Sequence, residues 1–352
     1  MILSCGGNHR YTIDGIVADD QFDGQTAYLY NGQTVVDSAV VADHGFRFEG
    51  KVEQPWMGTV VLTAEAGRAM LEFVVEPGEI VVDVLEDKLS GTPMNDSLSA
   101  YLQRINNADL RDEMNTYMQL YYSAPTPEVR ADAERRYDSV ESIAMQRVFD
   151  ESMSFYEGNR DNLLGAYALG NAAQLDKMDY AELNAKVEQA SDVVKEYQPI
   201  QVKLAQLKAI EETSAGRHYT DIQGVDGRLS DLIDGKLALV DFYASWCGPC
   251  RNEIRDNLVP LWAKYKDKGL VIVGLNVWER GDRASREAAH QKVMADLGIT
   301  YPQLVDSTRT ATDTYGVRGI PQIILIGADG TILARDLRGA AIEDAIVNAM
   351  GK

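Results

Sequence analysis

At 352 residues the chain exceeds one ordinary domain, and its 45% apolar content is enough for two or three buried cores. A formal net charge of −20 excludes the clustered Lys and Arg that phosphate recognition needs, so no nucleic-acid partner is expected. Three cysteines exclude a disulfide-stapled scaffold, and no apolar run reaches the roughly 18 residues needed to span a bilayer.

The chain opens Met1-Ile2-Leu3-Ser4-Cys5-Gly6-Gly7. Ile2 to Gly7 resembles the end of a bacterial lipoprotein signal, in which the cysteine becomes the lipidated N-terminus; the charged and apolar parts of such a signal are missing. The expectation is a truncated or misplaced start, with Cys5 the candidate lipidation site and any membrane attachment made through it alone; the alternative is a cytoplasmic protein with a free cysteine there. From Tyr11 to about Leu89 the pattern alternates at period two. Residues 11–17, 26–30, 34–41, 46–50, 59–63, 71–75 and 80–85 predict strands, with turns at pairs such as Asn31-Gly32 and Pro77-Gly78. Residues 8–95 are therefore expected to form an antiparallel β sandwich or barrel. It carries no phosphate-binding glycine loop and no telling acid pair, so Tyr28, Tyr30, Trp56 and Phe73 are assigned to packing and the role of the domain is not legible.

From 96 to 216 the period becomes helical. Residues 97–122 carry Leu98, Tyr101, Leu102, Ile105, Met114, Tyr117, Met118 and Tyr121 at three-to-four spacing, and Thr126-Pro127 supplies an N-cap and first residue for a second helix. Further helices are predicted over 129–156, 161–174, 180–190 and on both sides of Pro199. The Tyr and Met stripes are expected to be core, because no ligating group recurs on them, and the charge run 130–136 a solvated face.

The chemistry lies in 217–352. Leu237 to Tyr243 reads as a buried strand; Cys247-Gly248-Pro249-Cys250 follows, and then an amphipathic helix over 252–268. That order puts Cys247 at a helix N-terminus, where unpaired N–H groups and the macrodipole favour a thiolate, with Cys250 one turn behind and able to resolve a mixed disulfide. Half of a zinc site and a structural disulfide are the competing readings. Zinc would need a second ligand pair, and neither Cys5 nor His9, His44, His218 and His290 has ligand-like spacing, so no metal is expected. A second buried strand at 270–277, a helix over 284–297, a short strand at 301–305, a hairpin through Asp329-Gly330 and a closing helix over 340–350 complete the pattern.

These residues resemble the thioredoxin family. Trp246-Cys247-Gly248-Pro249-Cys250 is its active-site signature, Val240-Asp241-Phe242 precedes it as in thioredoxins, and Tyr315 to Pro321 is similar to the segment ending in their cis-proline. The long stretch 279–306 and the lead-in from Tyr219 resemble thiol-disulfide oxidoreductases of the TlpA and ResA type, and the β, helical, thioredoxin-like order resembles a family of bacterial envelope lipoproteins. The resemblance implies an α/β fold with a central mixed sheet and no cofactor. It also implies that Asp241 relays protons for Cys250, that Trp246 contacts the partner, and that Ile320 beside a cis-Pro321 pairs with a substrate segment. The segment matching Val271 to Leu275 lacks the lysine often found near that acid, and Gly274 holds its place. A peroxiredoxin reading is weak, because a Thr-x-x-Cys loop is absent. The function expected is reduction of envelope-protein disulfides, with an upstream dithiol as electron donor. The alternative is a partner-binding envelope protein whose redox pair locks or reports an interaction.

Overall fold

The computed structural model describes residues 9–65, 67–225 and 227–351, and the chain divides at Gln201/Val202 into two compact units. Cys5 lies outside the described residues. Among the described residues no helix is long and apolar enough to cross a membrane.

In the first unit β1 (Arg10–Ile16), β2 (Thr26–Asn31), β3 (Thr34–Val40), β4 (Gly45–Lys51), β5 (Trp56–Ala64), β6 (Gly67–Val75), β7 (Gly78–Asp83) and β8 (Lys88–Ser90) form two four-stranded sheets, β4-β1-β7-β8 and β3-β2-β5-β6. Alternation does the sorting: Tyr11 and Ile13 of β1, Phe46 and Phe48 of β4 and Ala27 and Leu29 of β2 are buried, while their neighbours face out. Gly32, at φ 58, makes the tight turn between β2 and β3. The pairing is not wholly antiparallel as expected, because β1 lies parallel to β7, a long-range pairing that period-two patterning does not encode.

Six helices follow within or into this unit: α1 (Pro93–Ile105), α2 (Ala108–Ser123), α3 (Pro127–Gly158), α4 (Leu163–Gln174), α5 (Tyr180–Glu188) and α6 (Asp192–Lys195); α7 (Gln198–Glu212) crosses the division. The single helix expected over 97–122 is broken at Asn106-Asn107, where the Asn107 Nδ2 donates to the Ala144 carbonyl of α3 at 3.2 Å. Its second half, α2, buries no residue, so Met114, Tyr117 and Tyr121 are not core. Thr126 caps α3 as expected, accepting from Val129 N at 3.4 Å. Helices lie on both sides of Pro199 as expected, α6 ending at Lys195 and α7 starting at Gln198; Pro199 itself sits in the first turn of α7, which needs no N–H from it. In α4 Leu163, Leu164, Ala166, Ala168, Leu169, Ala172 and Ala173 are all buried, as a helix apolar on every side requires. Tyr101 of α1 stacks on Phe155 at 4.6 Å and shares a 2.6 Å hydrogen bond with Ser152.

The second unit contains α8 (Leu229–Ile233), β9 (Leu237–Tyr243), α9 (Gly248–Glu253), α10 (Val259–Tyr265), β10 (Leu270–Asn276), α11 (Arg283–Leu297), β11 (Gln303–Val305), α12 (Thr310–Thr314), β12 (Gln322–Ile326), β13 (Ile332–Arg335) and α13 (Ala340–Met350). One mixed sheet runs β11-β10-β9-β12-β13, parallel through β9 and antiparallel beyond it. One face packs Leu239, Tyr243, Ile272, Ile323 and Leu325 with Ile254, Leu258, Ile342 and Ile346; the other packs Val240, Phe242, Val273 and Ile324 with Leu229, Ile233 and Tyr315. A wide turn at Ile254–Leu258 interrupts the helix expected over 252–268, because Pro260 cannot donate to the Asp256 carbonyl. Arg335 donates to the Thr213 carbonyl at 3.0 Å and to its hydroxyl at 2.6 Å, which fastens the end of α7 to β13.

Asn95 closes the end of the edge strand β6. It is fully buried, accepts from Val74 N at 2.9 Å and donates to Val74 O at 2.7 Å, completing the strand as a neighbouring strand would. Asn95→Ala leaves both backbone groups buried and unpaired, at about 1–3 kcal/mol each. Hydrogen exchange is expected to show the Val74 amide losing protection by a factor of ten or more, a range set by that energy; unchanged protection would remove the side chain from this role.

Candidate active site

β9 ends at Tyr243, and the loop Ala244-Ser245-Trp246 delivers Cys247 to the N-cap of α9, where Cys250 N donates to Cys247 Sγ at 3.2 Å. The two cysteines form a disulfide, with Cα atoms 5.3 Å apart. Cys250 is wholly buried and Cys247 is 5% exposed, so the pair has one accessible sulfur. Ile320 and a cis Pro321 meet it from the β12 side, with the Ile320 carbonyl oxygen 3.7 Å from Cys247 Sγ.

Asp241 lies on the same face of β9 as the cluster that holds Cys250, fully buried and with neither carboxylate oxygen hydrogen-bonded. Burial pushes its pKa up to about 8; the Arg338 guanidinium opposes that shift and Glu253 adds to it. Gly274 is its partner on β10, and a Cβ there would run into the side-chain amide of Gln303. Gln303 accepts from Tyr243 Oη at 2.7 Å and donates to the Tyr301 and Pro302 carbonyls, so a neutral amide fills the position where the expected pattern has a lysine.

Trp246 is 44% exposed, donates from Nε1 to the Trp278 carbonyl at 3.0 Å and lies under Arg280, 4.4 Å from the ring centroid. Trp278 adopts φ 55, a left-handed conformation that costs a residue with a side chain about 1–2 kcal/mol. Three groups escaped sequence reasoning. Glu279 accepts from Ser245 N at 2.6 Å, Ser245 Oγ at 2.7 Å and Asn276 Nδ2 at 2.8 Å, holding the loop before Cys247. Glu253 accepts from Gly339 N at 3.0 Å, and Arg338 donates to the Pro321 carbonyl. An acid just past a buried strand is the only sequence signal for Glu279. Among the described residues a set of potential metal ligands, Asp20, Asp23 and His44, is exposed in the first unit.

A mixed five-stranded sheet with a C-x-x-C disulfide at the end of its central strand and a cis-proline loop against it defines the class: this unit is a thioredoxin-like domain. Residues 206–335 match the AhpC/TSA family, and residues 11–98 match a domain of unknown function, DUF4369. The chain is similar to thiol:disulfide interchange protein HelX of Rhodobacter capsulatus, 37% identical over 33% of this chain and 60% of that protein. It is also similar to thiol-disulfide oxidoreductase ResA of Bacillus subtilis, 32% identical over 32% of this chain and 59% of that protein. The chain thus spans about three fifths of the length of the curated relatives it matches. A solved thioredoxin domain of a thiol-disulfide oxidoreductase from Bacteroides vulgatus is 29% identical, with a TM-score of 0.34, over 38% of this chain and 96% of that one.

Between the ordinary carboxyl value of 3.8 and about 8, the folded chain keeps on Asp241 a proton that the unfolded chain releases. Stability from this group is therefore full below the lower value and is lost as pH rises through the upper one. Asp241→Asn has nothing to ionise. Its urea midpoint is expected to gain on that of the natural chain between about pH 4 and about pH 8, and a gap that stays constant across that window would refute the burial-driven shift.

Proposed function

We propose that this protein is a thiol-disulfide oxidoreductase that reduces disulfides of envelope proteins through Cys247 and Cys250. The observation that carries the reading is the asymmetry of the pair: an accessible sulfur at a helix N-terminus and a wholly buried one a turn behind it, above a buried, unpaired carboxyl. In the reduced form the Cys247 thiolate attacks one sulfur of a substrate disulfide. The substrate's other sulfur leaves as a thiolate and takes a proton, and a mixed disulfide remains. Asp241 in its ionised form takes the proton of Cys250, which attacks Cys247 Sγ; the Cys247–Cys250 bond forms and the second substrate sulfur leaves, taking that proton in turn. Two electrons pass to the substrate, and an upstream dithiol donor restores them.

Asp241 suits the transfer because a group with a pKa near ambient pH both accepts and returns a proton, and its value of about 8 lies there. The Ile320 carbonyl, beside Cys247 Sγ, is the acceptor a bound substrate strand would meet, and Trp246 offers an exposed apolar contact next to it. The Gly248-Pro249 pair favours reduction over oxidation. The division we propose is an all-β domain over 8–95, a helical region over 96–216 and the thioredoxin-like domain over 217–352. An envelope location, with attachment through Cys5, completes the reading.

With dithiothreitol as electron source, the full chain is expected to reduce insulin disulfides in repeated turnovers. Cys247→Ser is expected to abolish this, and Cys250→Ser to halt after the first attack with client proteins held as mixed disulfides. Absence of turnover with both cysteines intact and reducible would refute the reading.

A further inference from the structure

The segment Tyr315 to Pro321 brings the Ile320 carbonyl to Cys247 Sγ, and Arg318 and Gly319 in its middle are exposed. A segment exposed in its middle is only as well placed as its ends. Arg335, which ends β13, and Arg338, which follows it, hold those two ends: Arg338 donates to the Pro321 carbonyl and Arg335 Nη2 to the Tyr315 carbonyl at 2.9 Å.

Arg335 reaches further than its neighbour. Its Nη1 donates to the Thr213 hydroxyl at 2.6 Å, the Thr213 carbonyl at 3.0 Å and the Ile210 carbonyl at 3.4 Å, so one guanidinium joins the end of α7 to the start of the segment. The side chain is 12% exposed; its Nε makes no hydrogen bond and lies 3.7 Å from the exposed carboxylate of Asp336. Its hydrogen bonds thus go to backbone carbonyls and one hydroxyl, and the carbonyls at the end of α7 are those that the last turn of a helix leaves without partners. The backbones meet as well. Gly316 adopts φ 60, and a Cβ there would stand 2.6 Å from the Gln206 carbonyl oxygen and 2.9 Å from Ile210 N, so α7 packs directly on the residue after Tyr315.

We propose that Arg335 is a positioning residue for substrate binding: by fastening the last turns of α7 to the Tyr315 carbonyl, it sets the Ile320 carbonyl where an extended segment of the substrate pairs with it. A planar fork can bond carbonyls on two sides at once, which a lysine ammonium at the end of a flexible stem does not reproduce. The inference rests on the oxidoreductase reading. It makes residues 206–213, which precede the thioredoxin-like domain, part of what places that domain's substrate.

The test uses the full chain with dithiothreitol and two substrates: a peptide with one internal disulfide, long enough to pair along the segment, and a small aromatic disulfide that has no backbone to pair. Arg335→Lys keeps the charge at the end of α7 and removes the fork. Its KM for the peptide is expected to rise about tenfold with kcat unchanged, the size of one lost charged hydrogen bond, while kcat/KM for the small disulfide stays at the natural value. Gly316→Ala, which drives a Cβ against the α7 backbone and leaves the guanidinium in place, is expected to give the same split. Thr213→Val removes only the hydroxyl contact and covers the case in which the larger changes unfold the chain; its peptide KM is expected to rise about threefold. An unchanged peptide KM in any variant that folds, or an equal fall in kcat/KM for both substrates, overturns the positioning role. A natural chain that reduces neither substrate overturns the oxidoreductase reading instead.

Discussion

β9 runs through the middle of the five-stranded sheet with both faces covered, and that double burial is the constraint on which the site depends. Parity along the strand assigns Leu239, Asp241 and Tyr243 to one side and Ala238, Val240 and Phe242 to the other. Asp241 therefore enters the layer that also holds Cys250, where water is excluded. Each large apolar neighbour buried there contributes roughly 1.5–3 kcal/mol, and keeping a carboxylate charged without a partner would cost more than one of them supplies, so the pKa of the acid rises to about 8. A one-residue slip in register would turn Asp241 to the opposite face and sever it from the cysteines.

Around Cys247 the contacts change character. The loops that converge on the strand ends are joined by hydrogen bonds rather than by apolar packing: Glu279 to Ser245, the Trp278 carbonyl to Trp246, Arg338 to the Pro321 carbonyl and Glu253 to Gly339. A single neutral bond of this kind is worth only about 0.5–1.5 kcal/mol net, and those to a charged carboxylate about twice that. Glu279 alone makes three, which is enough to fix the loop before the reactive sulfur and to offset the left-handed backbone of Trp278.

The first unit is organised by size rather than by charge. α4 carries alanines and glycines where its neighbours approach, and Gly165 lies too close to the Asn159 carbonyl for any Cβ. α1 and α3 are locked by the Tyr101, Phe155 and Ser152 contacts. α2, by contrast, lies along α3 without burying a residue, and its aromatic rings are partnered by arginines of that helix, Arg130 over Tyr121 and Arg136 over Tyr117. The stripe that read as core is thus a half-exposed seam.

The sequence by itself determined the elements and the reactive unit. Alternation at period two, the Thr126-Pro127 start of α3, the Asp329-Gly330 turn and the strand–Cys–x–x–Cys–helix order are local patterns, and local sterics and hydrogen bonding enforce them wherever the chain goes. The tertiary structure decided what depends on contacts between distant residues. These are the parallel pairing of β1 with β7, the break between α1 and α2, the Gln303 amide over Gly274, the grip of Glu279 on Ser245 and the meeting of the Trp246 indole with the Trp278 carbonyl. No spacing in the chain encodes them, because each joins segments whose separation is set by the fold and whose side chains carry no shared period.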